Sequence, residues 1–160
     1  MRRLLALCLL LVALAPAWAE SMSGVVFVVI DGDTVLFKPD SYGAASRAFL
    51  KIRLANIDAP ERGQPYGDAA TRALSTLVLD QRVELNTVAI DVYGRTIAQI
   101  QLRYVQVNTE LVRRGLAWAS SYRRNAELKA VQRDAQQAAR GLWREAEPMP
   151  PWVWRREHAN

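Results

Sequence analysis

The sequence predicts an α+β fold that is mainly β: a five-stranded barrel with a helix between strands 3 and 4 and two C-terminal helices. Short apolar segments rich in β-branched residues, each ended by turn residues, predict the strands. Apolar residues at helical spacing predict the helices. The order along the chain is three strands, a helix, two strands and two helices, which is typical of the oligonucleotide-binding (OB) barrel.

Each predicted strand has its own signal. An unbroken apolar run precedes the turn Asp31-Gly32-Asp33, which predicts a buried strand and its hairpin partner. A third segment alternates apolar and polar residues and stops before Pro60, because proline cannot continue a central ladder. The five predicted strands span 25–30, 34–38, 49–57, 82–90 and 96–102.

The helices are bounded by caps and glycines. An amphipathic helix begins at Gly67, where the apolar period changes from strand to helix. We expect Asn108 to cap a short helix that ends at Gly115. Asn125 should cap the last helix, and Gly141 should end it.

The chain divides into three predicted parts: 1–19, 20–147 and 148–160. The last part is rich in tryptophan and proline. We predict that it is an extended strap whose tryptophans pack on the domain, and that Arg155 and Arg156 are solvated. One alternative function is therefore an envelope interaction domain that docks through this tail.

The first part has the features of a secretory signal peptide. A basic start is followed by the apolar run 4–14 and by Ala17-Trp18-Ala19, a small-x-small cleavage pattern. The sequence thus predicts a secreted or periplasmic protein, cleaved near Ala19, without a membrane anchor. A lipid anchor on Cys8 is disfavoured, because Leu7 is a poor residue before a lipidated cysteine.

Without the signal peptide, the chain has few of the residue types that are commonly catalytic. The net charge falls from +5 by two arginines to +3, which suits a polyanionic partner without requiring one. The only cysteine is Cys8, and the only histidine is His158, near the C-terminus. Cysteine metal sites, histidine zinc sites and serine-histidine triads are therefore excluded from the mature domain. Carboxylates, arginines, tyrosines and hydroxyls remain.

Four acids follow predicted strands. Asp31 and Asp33 lie in the hairpin turn, and Asp58 and Glu61 lie at the end of the third strand. Consecutive strands usually pair, so these carboxylates are expected at one rim of the barrel. A hard cation such as Ca²⁺ would remove their mutual repulsion. The alternative is ordinary turn chemistry, which Asp-Gly sequences often serve.

Two arginines complete the candidate site. Arg53 lies in the third strand, and Arg95 follows the Tyr93-Gly94 turn. Two guanidinium groups and a cation would stabilise the charge that develops on a phosphodiester under attack, and Glu61 could act on the attacking water. The alternative is that Arg53 is a solvent-facing edge residue.

Six motifs occur in a specific order across residues 24–145. They are 30–34 (IDGDT), 53–61 (RLANIDAPE), Tyr66-Gly67, 91–95 (DVYGR), 111–117 (LVRRGLA) and Gly141-Leu142-Trp143. Each alone is a weak signal, but their order and spacing resemble the staphylococcal nuclease (thermonuclease) family.

The resemblance implies a calcium-dependent nuclease that acts on DNA and RNA and releases 3′-phosphates. Asp33, Asp58 and the Ala59 carbonyl would bind Ca²⁺, with Asp31 acting through water. Glu61 would be the general base or would orient the water. The remaining implied roles are phosphate binding by Arg53 and Arg95 and a nucleotide contact by Tyr93. No stable protein partner is implied, and a monomer is expected.

Three departures from the family pattern concern the substrate side. The segment 62–65 is shorter, and the loop 39–46 is longer, than in the type member. Simple alignment places Ser121 where that member has a base-stacking tyrosine, and the neighbouring Tyr122 is the candidate substitute. These departures concern base preference and turnover and leave the metal and phosphate groups intact. Because barrels of this kind also bind single strands without cutting them, a non-catalytic module that binds single-stranded nucleic acid is the alternative to an active nuclease.

Overall fold

The computed structural model describes residues 21–120 and 125–159. Eight strands are present in this part of the chain: β1 (Ser21–Val29), β2 (Thr34–Pro39), β3 (Leu50–Leu54), β4 (Ile57–Asp58), β5 (Arg82–Ile90), β6 (Thr96–Leu102), β7 (Val105–Gln106) and β8 (Trp118–Ala119). Four α-helices accompany them: α1 (Gly67–Val78), α2 (Val107–Arg113), α3 (Ala126–Gln137) and α4 (Pro151–Glu157).

The main sheet closes into a barrel. Its strands follow the order β3-β2-β1-β5-β6, and β3 also pairs with β6 in parallel, from Ile52 opposite Thr96 to Leu54 opposite Ala98. Helix α1 lies between the third and fourth barrel strands. The predicted five-stranded OB barrel is thereby confirmed.

The predicted third strand is in fact two strands. β3 ends at Leu54, and Asn56 takes a left-handed conformation with φ of 64°, which a regular strand cannot contain. The chain then forms β4, in which Asp58 pairs with Trp118 of β8. Asp58 therefore belongs to a separate two-stranded sheet, although its side chain still contacts Arg53 of β3.

One helix cap was predicted correctly and one was not. The Asn125 side chain accepts a hydrogen bond from the Leu128 N–H and caps α3. Asn108 is not a cap, because α2 begins at Val107 with Gln106 before it. The Asn108 side chain is buried; its Oδ1 accepts from the Ile100 N–H and its Nδ2 donates to the Ala55 carbonyl.

The C-terminal tail differs from the extended strap that the sequence predicts. Residues 148–150 lie in neither helix nor strand, but α4 follows them, with Pro151 as its first residue. Proline is favoured there because the first helical N–H has no partner within the helix. The predicted tryptophan packing occurs in part: Trp152 meets Trp118 edge-on at a centroid distance of 5.5 Å, as does Trp143, before the tail, at 4.4 Å. Trp154 instead stacks on His158 of the same segment.

The core fills the barrel and the space beneath α1 and α2. Its fully buried side chains include Phe37, Ile52, Leu74, Ile100 and Leu111. None of the helices in the described ranges has the length and apolarity needed to cross a membrane. The predicted signal peptide at 1–19 lies outside these ranges, and the division at residues 20–147 and 148–160 stays a prediction.

Candidate active site

The turn between β1 and β2 is packed closely against its neighbours. A Cβ atom added to Gly32 would lie 2.7 Å from the Ala59 Cβ and 2.8 Å from the Ala70 Cβ. Real Cβ atoms do not approach so closely, so the turn requires glycine for contact with the β4 segment and α1. Within the turn, Asp31 Oδ1 accepts from the Asp33 N–H at 3.0 Å.

Asp33 is held beneath this turn and is only 6% exposed. Its Oδ2 accepts a hydrogen bond from the Ala59 N–H at 2.7 Å, which joins the hairpin to the segment after β4. Burial raises the pKa of Asp33 to about 7, although the nearby Arg53 guanidinium acts in the opposite direction. The site therefore contains a carboxylate whose negative charge is incompletely compensated.

Arg53 connects the two predicted metal ligands. Its Nη2 lies 3.0 Å from Asp33 Oδ2 and 2.9 Å from Asp58 Oδ1. Its Nη1 donates to the carbonyls of Leu54 and Ile57, both at 3.0 Å. The guanidinium is thus oriented by four acceptors, and its side chain is 17% exposed. The alternative of a solvated edge arginine is wrong for Arg53.

Glu61 lies on a tight turn that leads into α1. The turn is closed by a hydrogen bond from the Gln64 N–H to the Glu61 carbonyl at 3.0 Å. A Cβ on Gly67 would lie 1.9 Å from that carbonyl oxygen, so the turn requires glycine there. The Gln64 side chain also accepts from the Glu61 N–H, at 2.9 Å.

Arg155 of α4 is an unpredicted member of the site. Its Nη1 and Nη2 contact Asp58 Oδ1 and Oδ2 at 3.1 and 2.8 Å, and Nη1 contacts Glu61 Oε1 at 2.6 Å. Arg155 is exposed, as predicted, with 46% of its side chain accessible, but its ion pairs with the two acids were not predicted. In the sequence, Pro150-Pro151 before Trp-Val-Trp-Arg is compatible with the start of a helix. No local pattern, however, indicates which residues a short terminal helix will contact.

Arg95 and Tyr93 occupy the turn between β5 and β6, organised by Asp91. The Asp91 carboxylate accepts from the Tyr93 and Arg95 N–H groups, both at 2.9 Å, and from Arg95 Nε at 2.7 Å. The Arg95 guanidinium carbon lies 5.7 Å from the Tyr93 ring centroid. Tyr93 itself is 81% exposed.

The sheet register relates this turn to the carboxylates. Arg53 pairs with Ile97 in the parallel β3–β6 ladder, and Arg95 lies two residues before Ile97. The β5–β6 turn therefore leads directly into the part of β6 that pairs with β3 beside Arg53. Beside the turn is an open cavity of about 440 Å³, lined by Asn56, Ile90, Val92, Ile97, Ser120 and others. Tyr122, the second predicted nucleotide contact, and Ser121 lie outside the described residues.

The predicted convergence of acids is partial. Asp33 and Asp58 meet through Arg53, and Asp58 and Glu61 meet through Arg155. Among residues 21–120 and 125–159, no three acidic, histidine or cysteine side chains form a ready-made metal cluster. The donor set nevertheless fits a hard cation: it is made of oxygens, and its buried acid lacks full compensation.

Comparisons with known proteins agree with this geometry. The family described as "Staphylococcal nuclease homologue" matches residues 51–145. An "Uncharacterized endonuclease" of Escherichia coli O157:H7 is 38% identical over 142 residues, covering 88% of this chain and 89% of the relative.

Two further relatives match almost the whole chain. A "Micrococcal nuclease" of Shigella flexneri is 32% identical over 170 residues, covering 99% of this chain and 94% of the relative. "Protein ParB" of Escherichia coli is 34% identical over 172 residues, covering 100% and 93%. The barrel, the motif order and these matches agree, and the chain belongs to the staphylococcal nuclease family.

Proposed function

We propose that this chain is an exported, calcium-dependent endonuclease that hydrolyses phosphodiester bonds in DNA and RNA and leaves 3′-phosphates. The observation that carries the proposal is the Arg53 guanidinium between Asp33 and Asp58, two acids 25 residues apart in sequence. This position supports a role for Arg53 in binding phosphate beside the carboxylates that would hold a metal. The family and the relatives named as nucleases support the reaction class.

Calcium is proposed from the chemistry of the donor atoms. Asp33 and Asp58 would supply carboxylate ligands and Ala59 its backbone carbonyl, with Asp31 acting through a water molecule. When bound, Ca²⁺ supplies Lewis acidity at the phosphate and lowers the pKa of a coordinated water.

The protein's own groups have distinct proposed roles. Arg53 and Arg95 bind the scissile phosphate, and their guanidinium groups stabilise the charge that grows on its nonbridging oxygens. The two carbonyls fix Nη1 of Arg53, and Nη2, which is paired with Asp33 and Asp58 in this structure, is proposed to turn to the phosphate when those carboxylates bind the cation. The Glu61 carboxylate accepts a proton from the attacking water or orients it.

The nucleotide is proposed to lie along the β5–β6 turn. Exposed Tyr93 offers an aromatic face for a base, and the neighbouring cavity is lined largely by apolar side chains. Tyr122 is the second proposed contact. Stacking tolerates any base, which supports action on both DNA and RNA in unpaired segments.

Export is proposed from the composition of residues 1–19, which combine a basic start, an apolar run and a small-x-small end. Secreting the chain from a bacterial host and sequencing the N-terminus of the mature protein tests this. A mature chain that begins at Glu20 is expected. A chain that keeps Met1 would contradict the proposal.

The nuclease assay uses supercoiled plasmid and single-stranded RNA, with calcium and then with excess chelator. We expect cleavage of both substrates with calcium, loss of cleavage in chelator and recovery on adding calcium back. Fragments should accept a 3′ label only after phosphatase treatment. Undiminished cleavage in chelator would contradict the calcium requirement, and a gel shift without cleavage across several divalent metals would favour a non-catalytic binding protein.

Glu61→Gln separates the proposed base from the metal ligands. It should lower kcat by about 10²–10⁴-fold, the usual contribution of general acid–base catalysis. Calcium affinity, measured by titration calorimetry, should change little. Equal losses of activity and calcium affinity would instead identify Glu61 as a ligand.

A further inference from the structure

The C-terminal segment reaches the proposed base at two separate points. At the first, Arg155 of α4 donates from Nη1 to Glu61 Oε1 at 2.6 Å. The Glu61 side chain is about one-third exposed, at 35%. Among the described contacts, Arg155 is the partner that fixes the direction of this carboxylate.

The second point of contact is the Glu61 backbone. Buried Gln64 accepts from the Glu61 N–H through Oε1 and donates from Nε2 to the Met149 carbonyl, at 2.9 and 2.7 Å. Gln64 is 5% exposed, so both hydrogen bonds are shielded from water. Met149, just before α4, thus supports the backbone turn at Glu61, while Arg155 of α4 holds the Glu61 side chain.

Helix α4 is itself anchored beside the metal ligands. Pro151 is buried, and Trp152 packs edge-on against Trp118 at 5.5 Å. Trp118 is the β8 residue paired with Asp58 of β4. The helix is therefore fixed to the strand that carries Asp58, and Arg155 extends from a supported position rather than from a free tail.

We propose that Arg155 is a positioning residue that orients the Glu61 carboxylate, while the Met149 carbonyl supports the turn of Glu61 through Gln64. This inference depends on the proposed nuclease function. A group that acts on a water molecule needs a defined direction, and a misplacement of about 1 Å can cost about 10²-fold in rate. If the Asp58 oxygens turn to a bound cation, the hydrogen bond from Arg155 to Glu61 still holds the Glu61 carboxylate in place.

The opposite interpretation is that Arg155 blocks the calcium site. In that case Arg155 would only compete with calcium for Asp58, so its removal would raise calcium affinity and would raise the rate only at subsaturating calcium. At saturating calcium, positioning predicts a lower kcat for a variant that lacks Arg155, whereas blocking predicts an unchanged kcat, so one set of variants separates the two interpretations.

The variants are Arg155→Gln, Arg155→Lys and Arg155→Ala, with Arg156→Gln as the matched control from the same helix. We expect Arg155→Gln to lower kcat by about 10–100-fold, the usual cost of losing a group that orients a catalytic ligand. KM should change little, because Glu61 is not proposed to bind the substrate. Arg155→Lys should fall between Arg155→Gln and wild type, and Arg156→Gln should match wild type.

Two further readouts separate positioning from loss of structure. Calcium titration of Arg155→Gln should give an affinity at least equal to wild type, because a cation beside Asp58 has been removed. Millimolar guanidinium chloride should restore part of the kcat of Arg155→Ala, which it cannot do for a misfolded protein.

Three results would overturn the inference. The first is an Arg155→Gln variant with wild-type or higher kcat. The second is a loss in Arg155→Gln that appears equally in Arg156→Gln. The third is an Arg155→Ala variant that guanidinium does not rescue. An inactive wild-type chain would overturn the proposed function together with this inference, whereas equal rates in wild type and Arg155→Gln would overturn this inference alone.

Discussion

The Ala59 N–H donates a hydrogen bond to Asp33 Oδ2 at 2.7 Å, across 26 residues of sequence. This bond places a buried carboxylate from the β1–β2 turn directly against the segment that carries Asp58. The distance between the two acids therefore depends on how closely the hairpin turn can approach Ala59. Gly32, inside that turn, permits the approach.

Gly32→Ala should weaken both the fold and the calcium site. The added methyl would lie within 3 Å of the Ala59 and Ala70 methyl groups, so either the turn or α1 must move. We expect a loss of about 1–3 kcal/mol in the free energy of unfolding, typical of overpacking, together with weaker calcium binding. Chemical denaturation and calorimetry measure the two effects.

Gly43→Ala is the control for that variant. Its backbone has φ of 70°, but the added methyl would meet open space. With ψ of 162°, this conformation is almost exclusive to glycine, so the variant should cost about 1–3 kcal/mol of backbone strain and leave calcium affinity unchanged. Normal calcium binding by Gly32→Ala would contradict the role given to the close approach.

Arg53→Lys should be nearly inactive while remaining folded. Lysine has a single point charge, whereas the Arg53 fork serves two carboxylates and two carbonyls at once. We expect kcat to fall by about 10²–10³-fold, as when one preorganised donor to the transition state is lost. Steady-state kinetics at saturating calcium gives the value.

Arg82→Lys is the matched control for Arg53→Lys. Arg82 also forms a two-pronged ion pair, with Asp40, but on the exposed surface. Its replacement should leave kcat unchanged. Comparable losses in the two variants would show that the effect is not specific to the site.

In the presence of a chelator, the free energy of unfolding of the metal-free protein should fall as pH rises from about 4 to about 7, because of the ionisation of Asp33. Its folded pKa is raised from 3.8 to about 7, so the folded protein keeps this proton in a range where the unfolded chain has lost it. The stabilisation is complete below the unfolded pKa and lost as pH passes the folded pKa. The difference of about 3 pKa units corresponds to about 4 kcal/mol at most.

Asp33→Asn removes this contribution without a large change of shape. Urea denaturation at several pH values should give a flatter pH dependence for the variant than for wild type across this range. Parallel pH profiles for the two proteins would contradict a raised pKa at Asp33.

Asp91→Ala should lower kcat/KM without changing calcium affinity. Asp91 fixes the Tyr93 and Arg95 backbones and the Arg95 side chain, so its loss should release the proposed phosphate contact. We expect kcat/KM to fall by about tenfold, the loss of one charge-assisted hydrogen bond of about 1.4 kcal/mol. Calcium affinity should be unchanged.

Asp134→Ala on exposed α3 serves as the control for Asp91→Ala, since it removes the same charge away from the site. Both variants should bind calcium like wild type, and only Asp91→Ala should lose kcat/KM. A loss shared by both would indicate a general charge effect.

Local patterns predicted the barrel and much of the site. Strand period, turn residues and the helix at Gly67 are set by neighbours within a few residues, so the element order could be read from them. The approach of Asp33 and Asp58 to one another, through their shared partner Arg53, was predicted because consecutive strands usually pair, as β2 and β3 do.

The errors arose where long-range packing decided the outcome. Asn108 has the residue type of a cap, but its amide is used by backbone groups of β6 and of the segment after β3. The strand break at Asn56 depends on pairing between β4 and β8, which are 60 residues apart. Neither partner is visible in the local sequence.

The sequence by itself determined which groups are available for chemistry: carboxylates and arginines in a chain whose only histidine is His158. Tertiary structure decided which of them meet. Arg53 lies five residues from Asp58 and Arg155 lies 97 residues from it, yet both contact its carboxylate. A carboxylate attracts any guanidinium that packing brings within reach, and only the folded chain fixes which arginine that is.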